Sequence, residues 1–267
     1  MTYFDAIILG LVQGLTEFIP VSSSGHLVIA SQLLHVQNAF TFDTLLNFGT
    51  LLALIIYYRK RIWSLIVRVL KGKDLRLAAQ IITATIPAVL VGFVLSSQIE
   101  KLNNLIWVVI FMLVTVGIVM VVVGKAKPDA NDNEIESSVS WPIALKIGAI
   151  QTLALIPGTS RSGVTILMGL RSGLSAARAA EFSFLLAIPV LAGGSLKTLA
   201  SDSGRQLIQH NIGQFIVGNT VAFISGVLAI SFLLKLLSSR GLKDFGWYRI
   251  ISGIVLAILL VAGIIKV

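Results

Sequence analysis

Apolar residues run through this chain in long blocks separated by short polar stretches. Six blocks reach the length of a bilayer-crossing helix, at about 42–58, 77–99, 105–124, 181–200, 212–235 and 248–265. A helix needs roughly 20 mostly apolar residues to span the hydrocarbon core, with about 17–25 tolerated, so each block predicts a transmembrane helix. Two further apolar regions, about 3–34 and 142–178, are interrupted. The first breaks at Pro20-Val21-Ser22-Ser23-Ser24-Gly25 and the second at Pro157-Gly158-Thr159-Ser160-Arg161-Ser162-Gly163. Each break leaves arms too short to cross alone. Irregular backbone survives at membrane depth only when buried in protein or lining a wet cavity, so both regions predict re-entrant helical hairpins. The opening Met1-Thr2-Tyr3-Phe4-Asp5 carries no basic residue and nothing nearby resembles a cleavage site, so no removable signal peptide is expected.

The two breaks occupy corresponding places. Gln13-Gly-Leu-Thr-Glu-Phe-Ile-Pro20 leads into the first, Gln151-Thr-Leu-Ala-Leu-Ile-Pro157 leads into the second, and three full spans follow each. A unit with an odd number of crossings inserts its second copy upside down. Paired Gly/Pro-interrupted segments in two halves point to a site near the membrane midplane between inverted repeats. The expected fold is therefore an all-α polytopic membrane protein, with six transmembrane helices plus two re-entrant helical hairpins in an inverted-topology repeat. One integral membrane domain, 1–267, divides into repeat one at 1–125 and repeat two at 141–267.

Composition agrees with this reading. Of 267 residues, 56% are hydrophobic and 12% charged, about half the charged share of an average soluble domain, and the mean hydropathy is +0.92. An ordinary soluble enzyme, a disordered chain and a disulfide scaffold are excluded. The absence of Cys removes thiol nucleophiles and zinc–thiolate sites. Basic residues outnumber acidic ones by 21 to 12, giving a net charge of +9, which on so apolar a chain suits anionic lipid rather than nucleic acid. Their distribution sets an orientation. If loop 59–76 is cytoplasmic, it and the loops 125–146, 171–178 and 235–249 hold sixteen Lys and Arg. These are Arg59, Lys60, Arg61, Arg68, Lys71, Lys73, Arg76, Lys125, Lys127, Lys146, Arg171, Arg178, Lys235, Arg240, Lys243 and Arg249. The other side receives Lys101, Lys197, Arg205 and Lys266. That bias puts both termini outside, with the first hairpin entering from outside and the second from the cytoplasm. Arg161, at the second tip, is left over.

Ionisable groups inside a membrane mark function by default. Asp5 reads as a helix-start charge, while Asp43 and Glu181 stand in matching places just inside the spans that follow the hairpins; Glu181 reads as an interfacial or helix-start acid, and Asp43 equally as that or as a functional acid. Glu17 is different. It lies four residues after Gln13, on the same helical face, and is followed by Pro20, three hydroxyls and His26. Ser22, Ser23 and Ser24 also suit an N-cap. The second tip adds Thr159, Ser160 and Ser162 and one guanidinium, Arg161. A helix N-terminus after a Gly-rich turn, joined by Arg, recognises an anion, above all phosphate. Arg161 also suits an ion pair with Glu17.

Phosphoanhydride hydrolysis is mainly positioning and charge stabilisation. Ser23 and His26 share a helical face, so His26 could activate Ser23 or a water, or itself attack phosphorus. Glu17 could orient His26, accept a proton, or hold a divalent cation together with the substrate phosphates. Ser23, His26 and water remain alternative nucleophiles. Small residues such as Gly218, Ser225 and Gly226 suit helix–helix contacts, within the chain or in a homodimer.

The segments Gln13–His26 (QGLTEFIPVSSSGH) and Pro157–Gly163 (PGTSRSG) closely resemble the two signature motifs of bacterial undecaprenyl-diphosphatases, the bacitracin-resistance family. Similarity extends through FDTLLNFGTLLA at 42–53, TIPA at 85–88 and AEFSFLLAIP at 180–189, and covers essentially the whole chain. Gln13 follows the Gln version of the first motif, which leaves Glu17 as the acid carried over most directly. Ser23, His26, Ser160 and Arg161 fall on matching positions. The resemblance implies a phosphatase of the bacterial inner membrane that converts undecaprenyl diphosphate to undecaprenyl phosphate, the lipid carrier for envelope polymers. It also implies assistance by a divalent cation such as Mg²⁺ or Ca²⁺. On this reading Glu17, Ser23 and His26 are catalytic, with Gln13 in support. Arg161, Ser160, Ser22, Ser24, Thr159 and Ser162 bind the diphosphate in a cleft open to the outer side. A phosphate or polyprenyl-phosphate transporter built on the same repeat is the alternative, since broken helices also serve carriers.

Overall fold

Six helical segments of the computed structural model are long and apolar enough to cross a bilayer: Ala39–Tyr57, Arg76–Val94, Ile106–Val123, Ala176–Ala200, Asp202–Ser238 and Lys243–Val261. They fall on the six predicted stretches. The structure describes residues 1–36, 39–73, 75–103, 105–124, 135 and 139–265. Lys125, Lys127 and Lys266, which enter the charge count, lie outside the described residues, as does the side chain of Arg240. Among the described residues no strand occurs.

The chain opens with α1 (Tyr3–Phe18) and α2 (Ser23–Leu33), then α3 (Ala39–Leu45) and α4 (Asn47–Tyr57), which together make the first span. Next come α5 (Arg59–Leu70), α6 (Arg76–Val94), α7 (Ser96–Asn103) and α8 (Ile106–Val123). The second half holds α9 (Trp141–Gln151), α10 (Arg161–Arg171), α11 (Ala176–Ala200), α12 (Asp202–Arg240) and α13 (Lys243–Val261).

Local chemistry fixes the ends of these helices. Thr2 and Asp5 form a reciprocal capping box that starts α1, so Asp5 is the helix-start charge expected of it. α1 stops because Pro20 forces Ile19 into an extended conformation. α9 tightens into a 3₁₀ turn, Thr152–Leu155, and stops before Pro157 in the same way, with Ile156 extended. Glu181 pairs with Arg178 at 3.0 Å and with Arg61 at 3.2 Å at the basic end of α11, as an interfacial acid should.

The helices pair across the sequence halves. α1 packs along α12 and α9 along α6, while α8 packs along α13. Small residues make the close approaches. A Cβ at Gly10 would strike the Gly218 carbonyl, and one at Gly14 would strike Ser225 and the Ala222 carbonyl. The stripe of Gly218, Ser225 and Gly226 is therefore used within the chain, against α1 and α4.

One charge assignment is corrected. Arg249, expected in a cytoplasmic loop, lies inside α13 and is fully buried. The last span starts at Lys243 rather than 248. Its polar residues can enter the helix because Arg249 faces protein rather than lipid.

Candidate active site

Each break turns through a non-glycine residue in left-handed conformation. Ser22 has φ 77° and ψ 95°, and Ser160 has φ 71° and ψ 106°. Such backbone is sparsely populated and persists only where the surroundings hold it. Here each serine caps the helix that follows. Ser22 Oγ accepts from Gly25 N at 3.4 Å, and Ser160 Oγ accepts from Gly163 N at 3.2 Å. Each cap also touches the hydroxyl two residues on, Ser22 with Ser24 at 3.2 Å and Ser160 with Ser162 at 3.3 Å.

The two tips meet. Gly158 N donates to Ser24 Oγ at 3.2 Å, and Ser162 Oγ donates to the Glu17 carbonyl at 3.3 Å. Between them lies a cavity of about 250 Å³. Its polar wall carries Gln13, Glu17, Ser22, Ser23, Ser24, Ser160 and Arg161, with Asp43, Asn47 and Gln151. Leu27, Val28, Phe40, Leu155, Val190 and Leu191 form the apolar wall.

Glu17 is the hub. Its Oε1 lies 3.1 Å from Arg161 Nη2, with both side chains 9% exposed. Its Oε2 accepts from Ser23 Oγ at 2.6 Å and from Gln13 Nε2 at 3.2 Å. Arg161 also donates from Nη1 to the Ser183 carbonyl at 3.2 Å, which fixes the guanidinium plane. The expected Glu17–Arg161 pair is therefore formed, and Ser23 is bonded to the carboxylate rather than to His26.

His26 turns away from this cluster. A carbonyl oxygen only accepts, so its Nδ1 donates to the Ser22 carbonyl at 2.8 Å. In the neutral ring Nε2 then accepts from the Tyr248 hydroxyl at 2.8 Å, with the two rings stacked. His26 thus braces the strained Ser22 peptide. Thr159 is fully buried and is not on the cavity wall, and the hydroxyls of Ser22, Ser24, Ser160 and Ser162 are all engaged at the tips. The structure brings together Glu17, Ser23, Arg161 and Gln13, and sets His26 and Thr159 behind them.

Several residues of the site escaped sequence reasoning. Asn47 Oδ1 accepts from Gln13 Nε2 at 2.6 Å and stands one turn beyond Asp43, a spacing that was available as a signal. Arg249 donates to three carbonyls, Gly158 at 2.8 Å, Met112 at 3.1 Å and Pro20 at 3.4 Å. It thereby ties both breaks to α8 and α13.

A hard divalent cation would find oxygen donors here. Among the described residues no group of three or more His, Cys, Asp or Glu gathers. Glu17 and Asp43 both line the cavity, however, and Asp43 Oδ1 has no hydrogen-bond partner among the described residues. The wall therefore suits a cation that takes its remaining ligands from a bound phosphate group.

Fold and site together define a polytopic membrane protein with a cavity lined by a carboxylate, a guanidinium and hydroxyls where two helix breaks meet. The sequence profile of the family described as bacitracin resistance protein BacA matches residues 6–255, and the chain belongs to that family. A protein of Porphyromonas gingivalis is 37% identical over 280 residues, covering 99% of each chain. One from Clavibacter michiganensis is 38% identical over 277 residues, again 99% of each, and one from Bdellovibrio bacteriovorus is 34% identical over 270 residues, 98% of each. All three are named undecaprenyl-diphosphatase.

Proposed function

We propose that this protein hydrolyses undecaprenyl diphosphate to undecaprenyl phosphate and inorganic phosphate. The product is the lipid carrier for cell-wall synthesis, and removal of the diphosphate confers bacitracin resistance. The names of the relatives support the substrate, and one observation carries the chemistry. Ser23 Oγ donates at 2.6 Å to the carboxylate of Glu17, whose other oxygen meets Arg161 at 3.1 Å on the wall of the same cavity.

Ser23 Oγ attacks the terminal phosphorus while Glu17 takes its proton. The bond from that phosphorus to the bridging oxygen breaks, and undecaprenyl phosphate leaves with the electron pair, needing little acid help. Glu17 releases its proton to solvent. Water then attacks the phosphoserine with Glu17 again as base, the P–Oγ bond breaks, and the proton returns to Ser23. Arg161 moves from Glu17 onto the phosphoryl oxygens and stabilises charge through paired donors. Mg²⁺ or Ca²⁺, held by Glu17 or Asp43 with phosphate oxygens, would neutralise diphosphate charge.

The α1–α2 and α9–α10 pairs are read as re-entrant hairpins of an inverted repeat. α2, α9 and α10 each have 11 residues, about 16 Å of helix, against a hydrocarbon core of about 30 Å. Reciprocal packing supports the repeat, since each half's hairpin lies on the other half's second span. The cavity is read as open to the outer face of the inner membrane. Its walls use the start of α3 and the later parts of α6 and α11, away from their Arg-bearing ends.

Phosphate release from undecaprenyl diphosphate by purified protein in detergent tests the activity. Release that disappears in Glu17→Ala and Arg161→Ala is expected. No release by well-folded protein, with phosphate-dependent flux in vesicles, would favour transport instead. Labelling a single Cys at Ser24 from each side of the membrane tests the opening, and access from the cytoplasm alone would reject the outward cleft.

A further inference from the structure

Gln151 ends α9 and is 1% exposed, yet neither its Nε2 nor its Oε1 has a hydrogen-bond partner among the described residues. It lines the same cavity as Glu17, Ser23 and Arg161. Gln13 supplies the control. It is 2% exposed, precedes the first break as Gln151 precedes the second, and spends its amide on Glu17 and Asn47. One turn beyond Gln13 stands Glu17, whereas one turn beyond Gln151 stands Leu155. The second amide keeps the burial and the cavity position but has no local partner. Buried polar groups are almost always bonded, and an unpaired one calls for an explanation.

We propose that Gln151 contacts the substrate, its Nε2 donating to a phosphoryl oxygen and its Oε1 accepting from a water held beside it. This rests on the phosphatase reading of the cavity. A primary amide is suited to the task, because it offers two N–H donors to an anion and adds no charge to the Glu17–Arg161 pair. Gln151 and Arg161 flank the second break, so the two would reach a headgroup from the same hairpin.

Wild type, Gln151→Leu and Gln13→Leu are compared in detergent by thermal unfolding and by phosphate release. Binding of inorganic phosphate and of a polyprenyl methylenediphosphonate, whose P–C–P bridge resists hydrolysis, is measured alongside. Gln151→Leu is expected to unfold at or above the wild-type temperature, because replacing an unpaired buried amide with an apolar group relieves desolvation. Its kcat/KM is expected to fall about 10- to 100-fold, the scale of a hydrogen bond to a charged group. Gln13→Leu is expected to unfold earlier, since Glu17 and Asn47 lose a donor. Weaker diphosphonate binding alone assigns the contact to the lipid headgroup, and weaker phosphate binding as well assigns it to the terminal phosphoryl position. Gln151→Leu with kcat/KM within about twofold of wild type, or with a lowered unfolding temperature, overturns the proposal. Should wild type release no phosphate, the phosphatase reading fails by itself, and the inorganic phosphate arm still decides whether Gln151 meets a phosphoryl oxygen.

Discussion

The two helix breaks share a backbone and differ in what they carry. Ser22-Ser23-Ser24-Gly25 and Ser160-Arg161-Ser162-Gly163 both begin with a left-handed serine that caps the next helix, and both close with the glycine that supplies the capped N–H. The outer serines of each tip touch one another at 3.2–3.3 Å. Between them, one tip places a hydroxyl and the other a guanidinium, and both of these reach Glu17. The repeated part builds the turn, and the single unlike position sets which group meets Glu17. A membrane protein can thus hold two strained turns by one local device and vary only the residue each presents.

The largest effect that would sharpen this contrast lies at the unlike positions. Ser23→Ala is expected to lower kcat by about 10⁴-fold or more, the scale seen when an activated nucleophile is removed. A loss of less than about tenfold, measured by phosphate release, would return the nucleophile to water or His26. Arg161→Lys comes next. It keeps the charge but loses the planar fork, and kcat/KM is expected to fall about 10²- to 10³-fold. Near-wild-type turnover in that variant would mean that charge alone suffices.

Arg249→Gln probes what holds the tips together. Removing the guanidinium leaves the Pro20, Met112 and Gly158 carbonyls without their shared donor, which is expected to cost about 3 kcal/mol in unfolding measurements. An unchanged unfolding midpoint would contradict the clamp. The shared serines give the smallest effects. Ser22→Ala loses the cap and puts a Cβ-bearing residue without a compensating bond at φ 77°, for about 1–2 kcal/mol. Ser22→Gly relaxes the backbone and is expected to be milder. If Ala proved milder than Gly in the same denaturation series, the conformation would not be what Ser22 contributes.

Much of this was legible in the sequence because membranes impose long, simple patterns. The six spans follow from length and hydropathy, and the breaks follow from Pro20 and Pro157 with their hydroxyl and glycine neighbours. Glu17 and Arg161 stood out because a charge at membrane depth is expensive. Finer assignments were not legible. Four of the tip serines read as phosphate ligands, and side-chain type does not reveal the caps and tip-to-tip bonds that they also make. His26 stands three residues from Ser23, yet its ring is captured by Ser22 and Tyr248, the latter a partner 222 positions away that spacing cannot show. Arg249 looked like one more cytoplasmic cation, since charge counting does not distinguish a loop from a buried helix start.

The central claim is that Ser23, activated by Glu17, takes the terminal phosphoryl group before water does. The stereochemical course at phosphorus tests it most directly, followed with a substrate whose terminal thiophosphoryl group is made chiral by two oxygen isotopes and hydrolysed in water of the third, so that the released thiophosphate is chiral. Two in-line displacements through phosphoserine predict retention of configuration. Inversion would show direct attack by water and contradict a nucleophilic Ser23.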